Sequence, residues 1–478
     1  MNKQKLTSFF DKVAGNRSHW RKKNSYYHKS LENFFKFRFS SECSVLEAGC
    51  STGDMLGKLN SASKAGFDIS AEMIKIARKK NPEISFYNDD IEELSLLEKF
   101  DVIILQDIVG LLKDVLKAFG NLHKVSHKGT RILLTYYNQL WEPVIVLAEK
   151  LGLKMSQPPQ NWLDMNDLEN LFFLSDFEVV EKGRFFLFPK YIPFISDFVN
   201  KLAVKCSLLN KFCLVTYIEA RPLPRPVRKE FSCSVVIPCR NEAGNIENAV
   251  KQTPELGKGS ELIFVDGNST DGTVEKIKEM ITQHPDKDIK LIHQGAGTGK
   301  GDAVRKAFDA ASGEILMILD SDLTVLPEDL DKFYDAIASG KGDFINGSRL
   351  VYPMEKQAMR FLNYLGNKFF SFIFTWILGQ RINDTLCGTK VLFKKDYERI
   401  KEGRKYFGEF DPFGDFDLLF GAARLGLKIT ELPVRYRART YGDTKISRFT
   451  HGLLLLKMSI IAFIKFKLKV NNNAAKRN

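Results

Sequence analysis

Short apolar segments that end in acidic, polar or glycine-rich turns recur along this chain of 478 residues, and amphipathic segments separate them. Continuous apolar runs of this length are typical of strands buried on both faces of a mostly parallel sheet. The pattern therefore predicts an α/β protein in which strands and helices alternate. The predicted strands lie within or end at residues 44–53, 66–68, 84–90, 100–107 and 130–138 in the first half, and 234–242, 261–266 and 315–323 in the second.

Amphipathic and aromatic segments between these runs predict the helices. Residues 1–42, which are polar, basic and aromatic, are expected to form helices that cover a site. A short helix is expected at 54–60 and an amphipathic helix at 71–80. A helix followed by a strand hairpin is expected over 161–189. For residues 191–220, two interpretations stay open: a helix packed on the sheet, or a segment in contact with a membrane interface.

A proline-rich basic stretch divides the chain. Residues 220–229 hold three prolines among basic residues, which predicts a stiff, extended linker. We therefore expect a first domain at 1–220, a linker at 221–230 and a second domain at 231–450. Residues 451–478 are expected to form an amphipathic helix and a basic tail.

Composition narrows the partners and the compartment. The net charge of +13 suits an anionic partner, but no nucleic-acid-binding motif accompanies it, so nucleic acid is not expected. Seven scattered cysteines without a C-x-x-C pair argue against disulfides or a zinc site and for a reducing compartment. No signal peptide and no membrane-spanning run is recognised. We expect a cytoplasmic protein, with peripheral contact on the inner face of a membrane left open.

The first half carries a glycine-rich turn and acids at successive strand ends. Gly49 and Gly53 allow the backbone to turn tightly beside a ligand. Asp68, Asp90 and Asp107 end the next three predicted strands. With this order of elements, residues 40–190 resemble class I S-adenosylmethionine-dependent methyltransferases, which have a Rossmann-like fold.

This resemblance implies how the cofactor would be held. Glu47 and the two glycines would bind the amino-acid end of S-adenosylmethionine, Asp68 the ribose, and Asp90 with the Ile91 backbone the adenine. The implied cofactor-binding set is Glu47, Gly49, Gly53, Asp68, Asp90, Ile91 and Asp107.

Two departures from the family pattern stand out in the same segment. The middle glycine of the turn is Ser51, and the spacing from Glu47 to Asp68 is tight. A Rossmann-like domain that has lost its activity stays open as an alternative. A nicotinamide-binding domain is disfavoured because G-x-G-x-x-G is absent.

In the second half, the run ILMILDSDL at 315–323 ends in Asp320 and Asp322. Two neighbouring carboxylates repel each other unless a cation lies between them, and Mg²⁺ or Mn²⁺ would bridge them to phosphate oxygens. The pair therefore predicts a metal–diphosphate site at the carboxyl end of a strand. The alternative is a polar strand end at which Asp322 caps the next turn.

Several ordered motifs surround this acidic pair. They are SVVIPCRNE at 234–242, GKGDAVRKAF at 299–308, FINGSRL at 344–350, NDTLCGTKVLF at 383–393 and RARTYGDTK at 437–445. In the second of these motifs, Lys300 is expected between two glycines just before a helix, where it would attract phosphate. Together they resemble inverting family 2 glycosyltransferases of the GT-A fold, and among these the dolichol-phosphate mannose synthases. The similarity extends over about residues 232–455.

By this resemblance, the second half would hold a nucleotide-diphospho-sugar between the metal site and a set of polar and basic side chains. Asp320 and Asp322 would bind the metal and the diphosphate. The implied donor-binding set is Pro238, Arg240, Glu242, Asp266, Lys300, Arg349, Arg439 and Lys445. A departure is Gly267, where the family usually has a second acid.

The need for a general base depends on the acceptor. A lipid phosphate is already anionic and needs none, whereas a sugar hydroxyl requires a carboxylate. Candidate bases are Asp384, Asp415 and Asp417, with Asp411 in the same cluster, and a helix-capping role is the alternative for each.

The segments 361–379 and 452–467 are amphipathic but too interrupted to span a bilayer, and the second is expected at a membrane interface.

The sequence thus predicts a bifunctional transferase with two Rossmann-like domains. It would transfer a sugar from a nucleotide-diphospho-sugar to a glycan or a polyprenyl phosphate, and methyl groups from S-adenosylmethionine. Joining both activities suggests polysaccharide or glycolipid biosynthesis. Two alternatives remain: a methyltransferase-like docking module joined to the glycosyltransferase, and a sugar nucleotidyltransferase, for which PCRNEAGN at 238–245 is a poor phosphate loop.

Overall fold

The computed structural model describes residues 3–224, 229–297, 299–352, 361–404, 414–439, 441 and 448–468. The chain divides into two compact units, Met1–Arg225 and Pro226–Asn478. The division falls inside the segment 221–230 that the sequence marks as a linker. Each unit is described by itself.

Unit 1 alternates strands and helices after three N-terminal helices. Its helices are α1 (Lys3–Val13), α2 (Arg17–Lys23), α3 (Ser25–Arg38), α4 (Ala71–Lys80), α5 (Val115–Leu122), α6 (Glu142–Lys150), α7 (Met165–Leu174), α8 (Ile195–Lys205) and α9 (Ser207–Asn210). Its strands are β1 (Ser44–Ala48), β2 (Ser63–Asp68), β3 (Ser85–Asn88), β4 (Phe100–Gln106), β5 (Ser126–Tyr137), β6 (Phe177–Phe185) and β7 (Val215–Pro222).

These strands form one seven-stranded sheet in the order β3-β2-β1-β4-β5-β7-β6. The first five neighbours are parallel, and β7 is antiparallel to both β5 and β6. Parallel central strands are covered on both faces, which explains their continuous apolar sequences. The carboxyl ends of β1, β2 and β4 meet at one edge, where the order of strands reverses around β1.

Local capping fixes several helix starts of unit 1. The Ser70 hydroxyl accepts the Met73 backbone N–H ahead of α4, and Asp114 accepts that of Lys117 ahead of α5. Asp164 and Asp167 form a reciprocal capping box at the start of α7. The predicted helices at 1–42 and 71–80 are confirmed.

Three local predictions for unit 1 are wrong. The helix expected at 54–60 is only a 3₁₀ turn, Leu56–Lys58. The hairpin expected within 161–189 does not form there, because β6 pairs with β7 across α8 and α9. Residues 215–222 are therefore a strand, neither a helix nor a linker, since their backbone completes the sheet between β5 and β6.

Unit 2 holds the remaining elements. Its helices are α10 (Ala243–Gln252), α11 (Thr273–Gln283), α12 (Gly299–Ala310), α13 (Leu330–Ala338), α14 (Phe361–Leu378), α15 (Lys394–Gly403), α16 (Asp415–Arg424) and α17 (Arg448–Phe463), continued by a π-helical turn at Ile464–Leu468. Its strands are β8 (Cys233–Cys239), β9 (Ser260–Asp266), β10 (Asp288–His293), β11 (Ile315–Ile318), β12 (Phe344–Ser348), β13 (Lys390–Phe393) and β14 (Ile429–Pro433).

The sheet of unit 2 has the order β10-β9-β8-β11-β13-β12-β14. Only β13 among these strands runs antiparallel to its neighbours. Residues of β8, β9 and β11 pack with α12 and α16 in one apolar core. Both units therefore have the predicted α/β class, each built on a mostly parallel sheet.

Two boundaries in unit 2 differ from expectation. Strand β11 ends at Ile318, so Asp320 and Asp322 lie in the following turn and do not continue the strand alternation. Lys300 lies inside the first turn of α12, not ahead of it. Within the described parts of the chain, none of the helices combines the length and apolar character needed to cross a bilayer.

Candidate active sites

A cavity of about 760 Å³ opens in unit 1 at the carboxyl ends of the parallel strands. Its volume is within the range of small-molecule sites. Six of the seven residues expected to bind the cofactor line it, and Gly53 does not. Those that do are Glu47, Gly49, Asp68, Asp90, Ile91 and Asp107.

The turn after β1 is shaped by backbone conformations that side chains seldom adopt. Gly49 has φ 71°, and Ser51 has φ 52° although it is not glycine. The Ser51 backbone N–H donates to Asp68 Oδ2 at 2.9 Å, which holds the turn against the end of β2. Ser51, at the position of the expected middle glycine, therefore adopts the left-handed conformation that glycine reaches most easily.

Asp68 is engaged from two sides. Besides Ser51, the Ser70 backbone N–H donates to its Oδ1 at 2.9 Å. Burial raises the pKa of Asp68, and these two hydrogen bonds oppose the rise. Each carboxylate oxygen can accept a further hydrogen bond, so the side chain keeps capacity for a ribose hydroxyl.

The N-terminal helices line the cavity and contact residues at its edge, as the sequence predicted. Lys3 Nζ of α1 lies 2.5 Å from Asp90 Oδ2. Asp11 Oδ1 accepts the Ser70 hydroxyl at 2.6 Å. These helices thus cover the strand ends at which a cofactor would lie.

Tyr27 of α3 is a site residue that the sequence analysis missed. Its hydroxyl donates to Asp107 Oδ2 at 2.7 Å, and its ring stacks on Tyr137 with 5.9 Å between centroids. Burial raises the pKa of Asp107 to about 6, against the hydrogen bond from Tyr27, which lowers it. No local pattern marks Tyr27, because its partner lies 80 positions away in the sequence.

The buried carboxylates of the unit 1 cavity fit S-adenosylmethionine. Among the described residues, Glu47 Oε2 and Asp107 Oδ1 are buried without a hydrogen-bond partner. Buried carboxylate oxygens normally have partners, so both leave acceptor capacity for a polar ligand. Burial also raises the pKa of Glu47 to about 8, and a ligand ammonium group would favour its ionised form.

In unit 2, the ends of three parallel strands carry strained polar turns. Asn241 after β8, Asn268 after β9 and Leu323 after β11 have φ of 54°, 61° and 51°. Non-glycine residues in this region cost energy and cluster at functional sites. The same edge of the sheet carries the acids expected at the donor site, Glu242, Asp266, Asp320 and Asp322.

Basic side chains meet these acids directly. Arg439 lies 2.6 Å from Asp322 Oδ2 and 3.2 Å from Glu242 Oε1. Lys300 Nζ lies 2.5 Å from Asp320 Oδ1. Burial raises the pKa of Asp320, but the charges of Lys300, Lys390 and Arg349 together outweigh this effect and lower it. Asp320 and Asp322 are therefore each paired with a cation, and a bound diphosphate could take the place of either acid as the partner of that cation.

Asp320 and Asp322 are the two acids expected from the sequence to bind a metal ion. Within the described residues, no group of three or more His, Cys, Asp or Glu side chains could hold a metal ion. Mg²⁺ commonly uses one or two carboxylates together with substrate phosphates. Asp322 Oδ1 also accepts the Thr324 backbone N–H at 3.1 Å, so Asp322 caps the turn as the alternative interpretation expected.

Asp384 is buried and committed to Arg349. Arg349 Nε lies 2.7 Å from Oδ2 and its Nη2 2.8 Å from Oδ1, and Asn367 of α14 donates to Oδ1 at 2.9 Å. Burial opposes ionisation, but the Arg349 charge outweighs it and holds the pKa of Asp384 well below its usual range. Asp384 thus positions Arg349, and it is unsuited to take a proton.

The other predicted bases have different surroundings. Asp417 lies 3.0 Å from Arg404 Nε and 3.4 Å from Arg305 Nη1. Burial raises its pKa against the two guanidinium groups. Asp411 and the side chain of Asp415 lie outside the described residues, as does Lys445.

The remaining donor-site residues have partners at the same sheet edge. Asp266 Oδ1 accepts the Ser269 backbone N–H at 3.1 Å. A Cβ added at Gly267 would lie 3.2 Å from Gln294 Oε1, which explains why a second acid has little space there. Pro238 is in β8, and Arg240 is exposed just after it.

Lys390 is a second residue that the sequence analysis missed. Its side chain is fully buried in β13, and its charge also lowers the pKa of Asp320. It lies six positions beyond the predicted base Asp384, within the motif NDTLCGTKVLF at 383–393.

Comparison with known proteins agrees with this division. Residues 39–171 match the family model "Methyltransferase domain", and residues 234–400 match "Glycosyl transferase family 2". The chain is 28% identical over 219 residues to the glycosyltransferase AglD of Haloferax volcanii, covering 45% of this chain but only 34% of that protein.

Two further relatives carry lipid-phosphate names. The dolichol-phosphate mannosyltransferase of Pyrococcus furiosus is 29% identical over 249 residues, covering 49% of this chain and 67% of that one. The polyprenol monophosphomannose synthase of Mycolicibacterium smegmatis is 26% identical over 230 residues, covering 47% of this chain and 84% of that one.

Among solved structures, similarity extends to methyltransferases. A S-adenosylmethionine-dependent methyltransferase of Thermotoga maritima matches with a TM-score of 0.35 and 15% identity, covering 45% of this chain and 99% of that one. The N-methyltransferase NodS of Bradyrhizobium japonicum matches with a TM-score of 0.33 and 15% identity, covering 45% of this chain and 98% of that one. By its two family matches, the chain joins an N-terminal segment similar to methyltransferase domains to a C-terminal segment similar to family 2 glycosyltransferases.

Proposed function

We propose that unit 2 transfers a sugar from a nucleotide-diphospho-sugar to a polyprenyl phosphate. The observation that supports this proposal is a set of ion pairs at the carboxyl edge of the sheet, Arg439 with Asp322 and Lys300 with Asp320. Each acid can pass its cation to an incoming diphosphate. The charge would then stabilise the leaving nucleoside diphosphate, where negative charge develops.

The surroundings of Asp384 and Asp417, two of the three predicted bases, favour a phosphate acceptor over a hydroxyl. Asp384 is occupied by Arg349, and Asp417 by Arg305 and Arg404. An oxygen of a lipid phosphate is already anionic and attacks the anomeric carbon as the bond to the diphosphate breaks, so no proton needs to be removed. Two of the relatives, a dolichol-phosphate mannosyltransferase and a polyprenol monophosphomannose synthase, have names that point to the same kind of acceptor.

Asp320 and Asp322 would hold a Mg²⁺ or Mn²⁺ ion. Such an ion supplies charge compensation for the diphosphate. Lys300 and Arg439 act beside it through their own charges, and Arg349 is held ready by Asp384. A polyprenyl acceptor also requires contact with a membrane surface, and the exposed apolar side chains Phe372 and Trp376 on α14 and Ile460 on α17 support such contact.

The acceptor is tested by assaying the purified chain with polyprenyl phosphate and with soluble glycans. We expect product only with polyprenyl phosphate, and Asp417→Asn and Asp415→Asn should cost little in turnover. A loss of roughly 10²–10⁴-fold in one variant, with turnover on glycans alone, would identify a general base and overturn the lipid acceptor. Asp384→Asn is unsuited as a probe because it also removes the ionic partner of Arg349.

We also propose that unit 1 binds S-adenosylmethionine and transfers its methyl group. The supporting observation is the cavity at the strand ends, lined by six of the seven expected residues. Asp68→Ala should weaken binding by about 1.5–3 kcal/mol through the lost ribose acceptor. Titration calorimetry measures this, with Asp68→Asn as the variant that keeps an acceptor oxygen. No binding by the unaltered chain would instead support a docking module.

A further inference from the structure

Two helices of unit 1 expose apolar stripes to solvent. Val144, Leu147 and Leu151 follow one another at helical spacing along α6 and its C-terminal residue, and Ile195, Phe198 and Leu202 repeat that spacing on α8. These six side chains, here named the apolar rim, are 45–66% exposed. Exposed apolar side chains grouped along a helix face are candidates for an interaction site.

The residue before α8 is also unusual. Phe194 is 91% exposed and has φ 63°, a left-handed conformation that is rare for aromatic residues. An exposed phenylalanine held in a strained turn gains nothing from packing within the described residues. Its ring is therefore available to a surface outside the chain.

Lysines surround the stripe on α8. The segment 189–212 contains four lysines, Lys190, Lys201, Lys205 and Lys211, and a single acid, Asp197. All four lysines are exposed, and none forms an ion pair with a described residue. Asp197 accepts the Tyr26 hydroxyl at 2.8 Å. Exposed apolar side chains flanked by ammonium groups suit an anionic lipid surface.

The rim is continuous with the mouth of the cavity. Val144 of α6 and the residues just ahead of α8, Lys190 and Tyr191, line the cavity itself. The Trp141 indole N–H, just ahead of α6, donates to the carbonyl of Phe212, which follows α8 and α9, at 2.7 Å. A surface that binds the rim would therefore lie beside the opening.

We propose that unit 1 docks on an anionic membrane through the apolar rim and that its methyl acceptor is the head group of a lipid in that membrane. The membrane contact stands on the rim and its lysines alone. The lipid acceptor rests in addition on the proposed methyl transfer. A second copy of the chain would cover the same apolar side chains, but the excess of four lysines over one acid favours a polyanionic surface over an identical basic one.

Hydrogen exchange of the full chain tests the contact. Phosphatidylcholine vesicles with and without phosphatidylglycerol are added, and exchange is read by mass spectrometry. We expect the anionic vesicles to slow exchange in peptides covering 142–151 and 191–212, and the neutral vesicles to do so much less. Because peptides are read separately, protection of these segments is distinguished from protection of α14 and α17 in unit 2.

Matched variants test the cause. Phe198→Ser should lower the partition coefficient of the chain onto vesicles, read from protection of the 191–212 segment, at least about tenfold. Burying one phenylalanine side chain contributes enough free energy for a change of that size. Leu97→Ser, at a position 69% exposed in the loop before β4, should leave the partition coefficient unchanged. Lys201→Gln with Lys205→Gln should weaken binding to anionic vesicles and not to neutral ones.

The outcomes separate the two parts of the proposal. Vesicle binding without protection of 142–151 and 191–212 would overturn the membrane contact. So would concentration-dependent self-association that Phe198→Ser abolishes and vesicles leave unchanged, which would assign the rim to a second copy. If the segments are protected and S-adenosylmethionine binds, but no labelled methyl group passes from it to the vesicle lipid, the membrane contact is supported and the lipid methyl acceptor is overturned. Absence of S-adenosylmethionine binding would instead overturn the proposed methyl transfer itself.

Discussion

At the scale of single residues, the site of unit 2 contains ion pairs between acids and cations, and the site of unit 1 contains buried carboxyl groups. In unit 2, Arg439 and Lys300 neutralise the acids that a diphosphate would otherwise meet alone. In unit 1, Glu47 has one carboxylate oxygen without a partner among the described residues. Both arrangements are prepared for a ligand that changes the local charge, and each can be tested by replacing one carboxyl group with its amide.

Asp322→Ala should lower sugar transfer roughly 10²–10³-fold, the usual cost of losing one electrostatic contact to a developing charge. Asp322→Asn is the matched variant, because its amide oxygen can still accept the Thr324 backbone N–H while its charge is gone. Initial rates with saturating metal and donor measure both. Full activity in the Asn variant would contradict the assignment of Asp322 to the metal and the diphosphate.

Glu47 should make the stability of unit 1 depend on pH. Burial raises its pKa to about 8, so the folded chain holds a proton that the unfolded chain loses above about 4.3. The free energy of unfolding should therefore fall as pH rises from about 4.3 to about 8, and Glu47→Gln should flatten that slope. Urea denaturation across this range, followed by the unit 1 transition, provides the measurement.

The same group predicts proton release on ligand binding. The ammonium group of S-adenosylmethionine favours ionised Glu47, so binding near neutral pH should release a proton. Calorimetry in two buffers of different ionisation enthalpy detects it. Identical binding heats in both buffers would show that Glu47 does not ionise on binding.

At the scale of secondary-structure elements, helices carry residues into sites formed by strand ends. In unit 1, α1 and α3 supply Lys3 and Tyr27 to acids that follow β3 and β4. In unit 2, α14 supplies Asn367 to Asp384 and exposes Phe372 on its outer surface. One helix thus links the donor-site arginine to the surface that we assign to the membrane.

Asn367→Ala and Phe372→Ala separate these two roles of α14. Asn367→Ala should destabilise unit 2 by about 1–3 kcal/mol, because Asp384 Oδ1 loses a buried donor. Phe372→Ala, at a position 76% exposed, should change stability by less than about 0.5 kcal/mol. Vesicle binding should show the reverse order of effects. Equal losses of stability would mean that Phe372 is packed.

At the scale of the whole molecule, two α/β units with their own cores are joined in one chain. Six of the seven residues expected to bind S-adenosylmethionine line a cavity within unit 1, and the donor-site residues that the structure describes belong to unit 2. We therefore expect each ligand to stabilise one unit only, since a ligand stabilises the state that binds it.

Calorimetric unfolding tests this independence. S-Adenosylmethionine at about 100 times its dissociation constant should stabilise unit 1 by about 2.7 kcal/mol, a rise of about 5–10 °C in its transition. The transition of unit 2 should stay in place and respond to nucleotide sugars instead. Asp68→Ala should remove the first shift and spare the second. Parallel shifts of both transitions with one ligand would show that the units unfold together.

The sequence by itself determined the α/β class, the two-unit division near the prolines and most strand ends, because buried strands and the polar turns after them leave local patterns. Only the tertiary structure decided where β6 finds its partner, since β7 lies beyond two helices. It also decided that Tyr27 meets Asp107 and that Arg349 occupies Asp384. Those contacts join residues 80 and 35 positions apart, and no local pattern encodes which distant side chain fills a buried site.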